Sequence, residues 1–149
     1  MSTSENQNIS KKDTSRPEYQ YEPIAGFEKL WVWQKAHKLM LEINEIVKQL
    51  PPSERFKIAG QIERATSSVP DNIAEGHTSY YYQDKIKGFN TARKEAGETQ
   101  NHIKSMESKK YIKSSLAKEL SDEYEGLIKG INAYINYIRD KRKNDKNKK

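Results

Sequence analysis

Apolar side chains recur every three or four residues along four long segments of this chain, and this spacing constrains the fold more than any other feature. A period of about 3.6 residues is that of an α-helix with one buried face. No segment of comparable length alternates apolar and polar residues as a half-buried strand does. The sequence therefore predicts an all-α fold.

The predicted helices cover residues 27–50, 53–76, 78–110 and 116–140. Pro51 and Pro52 end the first helix, because proline lacks an amide donor and disfavours helix in the residue before it. Ser53 is the predicted N-cap of the second helix, and Gly76 is its predicted C-terminal stop. Pro70 lies inside the second helix, where the apolar spacing continues past it, so we predict a kink there.

Short links between long helices favour consecutive helices that run antiparallel. The sequence therefore predicts an up-down-up-down four-helix bundle over residues 27–138. Residues 1–26 contain few aliphatic side chains, and residues 139–149 are nearly all charged. Neither segment can bury enough apolar surface to offset the entropy lost on ordering, so both are predicted to be disordered tails.

The basic charge is concentrated at the C-terminus. Residues 139–149 hold seven Lys or Arg and two Asp, so they carry +5 of the net charge of +6. Such a tail either serves solubility or attracts a polyanion. The chain has no cysteine, no apolar signal sequence and no apolar run near the roughly 20 residues of a membrane span. We therefore expect a soluble, cytoplasmic protein that makes no membrane contact.

Two groups of basic residues are candidate nucleic-acid contacts. Lys87, Lys94 and Lys109 fall within about 60° of one another on the outer face of the third helix. The other three are Lys141, Arg142 and Lys143 in the predicted tail. In a symmetric ring each position would repeat in every subunit and form a ring of positive charge. The tyrosines at 80–82 would either stack on bases or cap the hydrophobic core, and we favour the cap.

The first helix has apolar residues on two faces. Phe27, Leu30, Trp31 and Leu41 cluster on the side away from the buried stripe. A helix that is apolar on two faces is usually buried on both. The second face would meet another subunit or be covered by the N-terminal segment, and we favour an oligomer.

Several motifs together resemble one known family. They are FEKLWVWQKA at 27–36, ERF at 54–56, QIERATSSVP at 61–70 and NIAEG at 72–76. Their order and spacing are similar to those of the bacterial four helix bundle protein family, also called the S23 or 23S rRNA intervening-sequence protein family. The resemblance extends over about residues 27–138.

This resemblance implies a homopentamer with a central channel and no enzymatic activity. It also relates the chain to the accessory proteins of diversity-generating retroelements, which bind nucleic acid and a reverse transcriptase. The sequence departs from the family where Lys94 and Glu95 follow Ala92-Arg93, since family members usually have a Gly-Ser pair there. The near-neutral bundle also differs from the strongly basic retroelement proteins.

Part of the family motif suggests structural roles. Asn72 is expected to bond the backbone beside Pro70, and Gly76 to cap its helix. The remaining polar motif residues are expected to make contacts between helices or subunits. These residues are Gln61, Arg64 and Glu75.

No arrangement of chemical groups predicts catalysis. A carboxylate-bridged metal centre in a bundle needs Glu-x-x-His pairs, which are absent, and Glu98 and His102 are spaced as a helix surface pair. We therefore predict no metal, no cofactor and no enzyme. The predicted function is a homo-oligomeric, pentameric scaffold that contacts RNA, DNA or a nucleic-acid enzyme such as a reverse transcriptase. The alternative is a structural or protein-interaction module that binds no nucleic acid.

Overall fold

The structure, a computed structural model, describes residues 26–147. This part of the chain forms four long helices and contains no strand. They are α1 (Trp31–Val47), α2 (Gly60–Thr78), α3 (Tyr82–Ser108) and α4 (Ser114–Asn147). A 3-10 turn, Gly26–Lys29, precedes α1, while a helical turn, Pro52–Glu54, and a π-helical segment, Arg55–Ala59, lead into α2. The predicted all-α four-helix class is confirmed, and residues 1–25 of the predicted N-terminal tail lie outside the described range.

One hydrophobic core runs through the four helices and contains the predicted apolar stripes. Its fully buried side chains include Leu39, Ile43, Ile62, Val69, Ile73, Phe89, Ile103, Met106, Leu127 and Ile131. Thr66 and Thr99 are also fully buried. Their hydroxyls donate to backbone carbonyls one turn earlier in the same helices, at Glu63 (3.1 Å) and Glu95 (2.9 Å). These bonds satisfy the two hydroxyls inside an apolar core.

Contacts between neighbouring helices join residues in opposite order along the chain. Arg64 of α2 meets Glu98 of α3 at 3.1 Å, while Gly76, further along α2, meets Gly88 near the start of α3. In the same way, Tyr82 bonds Asp145 near the end of α4. Helix α1 packs chiefly against α2 and more loosely against α4. The predicted bend at Pro70, which is buried within α2, stays a prediction.

The first predicted helix is divided at Leu30. This residue is extended, with φ −78° and ψ 128°, so Phe27 belongs to a separate 3-10 turn and the α-helix begins at Trp31. The α-helix ends at Val47 rather than at Leu50. An extended residue interrupts the helix and changes the direction of every side chain before it. Side-chain directions predicted for one continuous helix therefore do not hold for Phe27 and Leu30.

The predicted ends of the second helix were also wrong. Helical structure begins at Pro52, so Ser53 is not the N-cap. Gly76 lies within α2, which continues to Thr78. Ser79 is the C-cap, and its amide and hydroxyl both donate to the Glu75 carbonyl. The reason for glycine at position 76 is instead a close helix contact, because Gly76 faces Gly88.

The predicted disordered tail is wrong for residues 139–147, which continue α4. Lys and Arg are good helix formers, and extending an existing helix avoids the unfavourable nucleation step. The tyrosine hydroxyl of Tyr82 donates to the Asp145 carboxylate and holds the end of α4 against the start of α3. Five of the seven basic residues at 139–149 therefore lie on a helix with a defined position.

Candidate oligomer and nucleic-acid interfaces

The four predicted interface residues do not form one exposed cluster. Phe27 is half-buried, with its ring centre 5.2 Å from that of Trp33. Leu30 is half-buried against the core. These two positions therefore correct the predicted apolar outer face, and the cause is the extended backbone at Leu30.

Trp31 and Leu41 remain about half exposed, at 55% and 50%. They lie about 15 Å apart along α1. The Trp31 ring lies over Gly130 of α4 so closely that a Cβ at position 130 would overlap it. Trp31 therefore covers part of the loose α1–α4 seam, while Leu41 faces away from the core.

Two further apolar side chains are exposed that the sequence pattern did not single out. Phe56, in the π-helical segment, is 94% exposed, and Tyr137 of α4 is 55% exposed. Phe56 was interpreted only as part of a family motif. The apolar period did not indicate the π-helical segment in which it lies.

The predicted core cap at 80–82 was also wrong for two of its three tyrosines. Tyr80 and Tyr81 are 86% and 65% exposed, and only Tyr82 packs against the core. The helix starts at Tyr82, so the two preceding residues lie in the extended link between α2 and α3. That link points their rings away from the bundle interior.

The three candidate lysines of α3 do not lie together. Lys87 and Lys94 are exposed, but Lys109 follows the last residue of α3, about 22 Å along the axis from Lys94. The Lys109 ammonium lies 3.6 Å from the Glu54 carboxylate, so its charge is partly balanced within the subunit. The three positions of the predicted ring of charge are therefore spread along the length of α3, with Lys87 near its start, Lys94 near its middle and Lys109 just after its end.

Lys141, Arg142 and Lys143 lie on the last turns of α4. Lys141 and Lys143 are exposed, and Arg142 is half-buried beside the start of α3. The structure thus brings Arg142 close to Tyr81 and Tyr82. Neither the charge count nor the helical period indicated this juxtaposition.

Two of the polar motif residues, Arg64 and Asn72, make contacts within the subunit. The Arg64 guanidinium joins α2 to α3 through Glu98 (3.1 Å) and Glu95 (3.8 Å). The Asn72 amide donates to the Ser68 carbonyl at 2.8 Å, one turn earlier and beside the buried Pro70. Gln61 and Glu75 are exposed.

Glu95 lies in an electrostatically unfavourable position. Its burial raises the pKa of its carboxyl, and the nearby Glu98 carboxylate raises that pKa further. Glu98 also lies 3.6 Å from His102 Nε2. Across residues 26–147, however, no three His, Asp or Glu side chains are arranged to bind a metal ion. This cluster is therefore best described as a contact between α2 and α3.

His77 gives a prediction for the pH dependence of stability. Its partial burial lowers its pKa below the usual 6.5, and the Lys85 charge lowers that pKa further. Below about pH 6.5 the unfolded chain therefore binds more protons at this position than the folded chain does. The free energy of unfolding should fall between pH 7.5 and pH 5.5.

Urea denaturation at these two pH values measures the effect. A His77→Gln variant should lose part of the decrease because glutamine does not titrate. If the variant kept the full decrease, His77 would not be its source.

Within the described residues, no helix has both the length and the apolar character needed to cross a bilayer. The fold is that of a helical bundle in which Lys35 and Arg64 form ion pairs between helices, and its surface carries exposed aromatic and basic residues. Residues 28–133 match the family model of the 23S rRNA-intervening sequence protein. The chain belongs to this family.

A solved structure supports the same fold. It is described as a protein with unknown function from the S23 ribosomal protein family of Bacteroides thetaiotaomicron. The TM-score is 0.65 at 24% sequence identity, and the match covers 70% of this chain and 95% of the other. At this identity the likeness supports the fold alone. Among proteins with curated descriptions, none matches the sequence.

Proposed function

We propose that the chain is a non-enzymatic, homo-oligomeric scaffold that contacts nucleic acid or an enzyme acting on nucleic acid. The observation that carries the proposal is the half-exposed apolar surface of α1 at Trp31 and Leu41. Tryptophan is enriched among residues that anchor protein interfaces. Trp31 covers part of the α1–α4 seam and Leu41 faces away from the core, so each leaves about half of its apolar surface for a second subunit to bury. The pentameric state rests on the family resemblance alone.

The charge distribution supports the nucleic-acid part of the proposal. Residues 139–147 carry five basic and two acidic side chains on the end of α4. A helix fixes these charges relative to the bundle, and a symmetric assembly would repeat them in every subunit. Several phosphates of one strand would then be within reach of one particle.

Light scattering coupled to size-exclusion chromatography tests the scaffold. We expect a mass near five times that of the 17.3 kDa chain. A monomer at micromolar concentration would contradict the oligomer. A dimer or tetramer would support a scaffold but contradict the pentamer.

The alternative is a protein-interaction module that binds no nucleic acid. It is favoured by the acidic residues Asp140 and Asp145 among the C-terminal basic residues, and by the pairing of Lys109 with Glu54. Binding of a labelled oligonucleotide at 50 mM and 200 mM salt separates the two functions. Phosphate contacts predict an affinity that falls steeply with salt, whereas the module predicts no binding at either concentration.

A further inference from the structure

One end of the bundle combines exposed aromatic rings with basic side chains. Tyr80 and Tyr81, in the link between α2 and α3, are 86% and 65% exposed. Their rings meet edge to face with centres 4.9 Å apart. Large aromatic side chains this exposed leave their faces open to a ligand.

An open groove of about 580 Å³ lies beside Tyr81. Its lining includes Tyr81 together with Arg142 and Lys146 from the last turns of α4. Tyr80 lies outside this lining and contacts the Tyr81 ring. A second groove of about 750 Å³ also includes Arg142 and Lys146, together with Arg139 and Lys143. The two grooves therefore share Arg142 and Lys146, and both follow the end of α4.

Acidic residues lie among the basic ones along both grooves. Asp84 and Asp145 balance Arg142 and Lys146 in the first groove, whereas the second groove has four basic residues and one acidic residue, Asp140. The net positive charge therefore lies along the second groove, which Arg142 and Lys146 also line. The Asp145 carboxylate accepts the hydrogen bond of the Tyr82 hydroxyl. Asp84 also lines the first groove and would repel a phosphate, so phosphates are expected on the side of Arg142 and Lys146. These two residues are four apart on one helix, about 6 Å along its axis, and face the same groove.

We propose that this end of the bundle binds single-stranded nucleic acid, with Tyr80 and Tyr81 stacking on bases and Arg142 and Lys146 contacting phosphates. The inference rests on the nucleic-acid part of the proposed function and assigns it a site. Unpaired bases offer both faces for stacking, which paired bases inside a duplex do not. An acidic peptide would use the basic residues but has no flat, unpaired base to stack on the two exposed rings.

Fluorescence anisotropy with a labelled 12-nucleotide oligo(dT) and an oligo(U) of equal length tests the site on the full chain. The Tyr80→Ala/Tyr81→Ala variant should bind at least about fivefold more weakly, the lower limit for loss of one stacked base. The Tyr80→Phe/Tyr81→Phe variant should retain most of the affinity, because stacking needs the ring and not the hydroxyl. Both positions are exposed, so circular dichroism should show unchanged helix content.

A matched pair of variants tests whether the charges of Arg142 and Lys146 contribute to oligonucleotide binding. The Arg142→Gln/Lys146→Gln variant should bind more weakly, and the slope of its salt dependence should be smaller by roughly 0.7 for each phosphate that it no longer neutralises. The Lys104→Gln/Lys118→Gln variant removes the same charge from exposed positions on α3 and α4, near the end of the bundle that carries Lys109. This control should bind like the wild type.

The outcomes separate the site from the proposed function. If the wild type binds no oligonucleotide, both the nucleic-acid function and the site are wrong. If it binds but the alanine variant is unaffected, the site is wrong and the function stands. Equal affinity for a duplex, or equal competition by poly-glutamate, would show that charge alone drives binding and would overturn the assignment to single strands.

Discussion

Replacing Gly88 with alanine should destabilise the bundle by about 1–3 kcal/mol, the range expected when a well-packed core is overfilled. A Cβ at position 88 would lie 2.7 Å from the Gly76 Cα, 2.9 Å from the Gly76 nitrogen and 3.0 Å from the Asn72 carbonyl oxygen. All three atoms belong to the backbone of α2, so no side-chain rotation can relieve the overlap. The helices must move apart, which would loosen the core packing near the crossing.

Alanine at Gly97 is the matched control on the same helix. Apart from the neighbouring backbone of α3 itself, no atom lies within 4 Å of the Cβ that it would add. Alanine favours helix over glycine by roughly 1 kcal/mol, so Gly97→Ala should stabilise the bundle slightly. Urea denaturation of the two variants should therefore give shifts of opposite sign. Equal shifts would mean that helix propensity, and not the Gly76–Gly88 contact, determines both results.

This contact also connects the fold to the proposed binding site. Gly88 lies two turns after the start of α3, and Tyr80 and Tyr81 lie in the link that joins α2 to α3. The close approach of the helices therefore sets where the link leaves the bundle. Gly88→Ala should weaken oligonucleotide binding as well, whereas Gly97→Ala should leave it unchanged.

The apolar period was sufficient to predict the four-helix class and most of the core, because each helix buries one face of regular spacing. It could not identify partners across helices. Gly76 was interpreted as a helix end because glycine is common there. Its actual role depends on Gly88, twelve residues later, and no local pattern relates the two.

Other differences arose from treating segments in isolation. The C-terminal residues were judged by whether they could fold alone, but they extend a helix that already exists and are held by Tyr82. Phe27 was placed by helical geometry that does not continue through Leu30. The exposure of Tyr80 and Tyr81 depends on the backbone conformation of the link, which the residue types alone did not determine.

The second large effect concerns the proposed subunit interface. Leu41→Glu should dissociate the assembly into monomers that remain folded. Leu41 is half exposed and faces away from the core, so a polar residue there should change the stability of a subunit by only about 0.5 kcal/mol. In an interface, the same change removes apolar burial and places an unpaired carboxylate in a dehydrated contact. The unpaired carboxylate alone should destabilise the assembly by several kcal/mol.

Asn101→Glu provides the control, because it adds the same charge at an exposed position on α3. Light scattering should give the assembled mass for the control and the monomer mass for Leu41→Glu, with equal helix content by circular dichroism. Trp31 is less suitable for this test, since its ring also packs over Gly130 and its removal would disturb the subunit itself. Retention of the assembled mass by Leu41→Glu would place the interface on another face of the bundle, and Phe56 would be the next exposed apolar residue to replace.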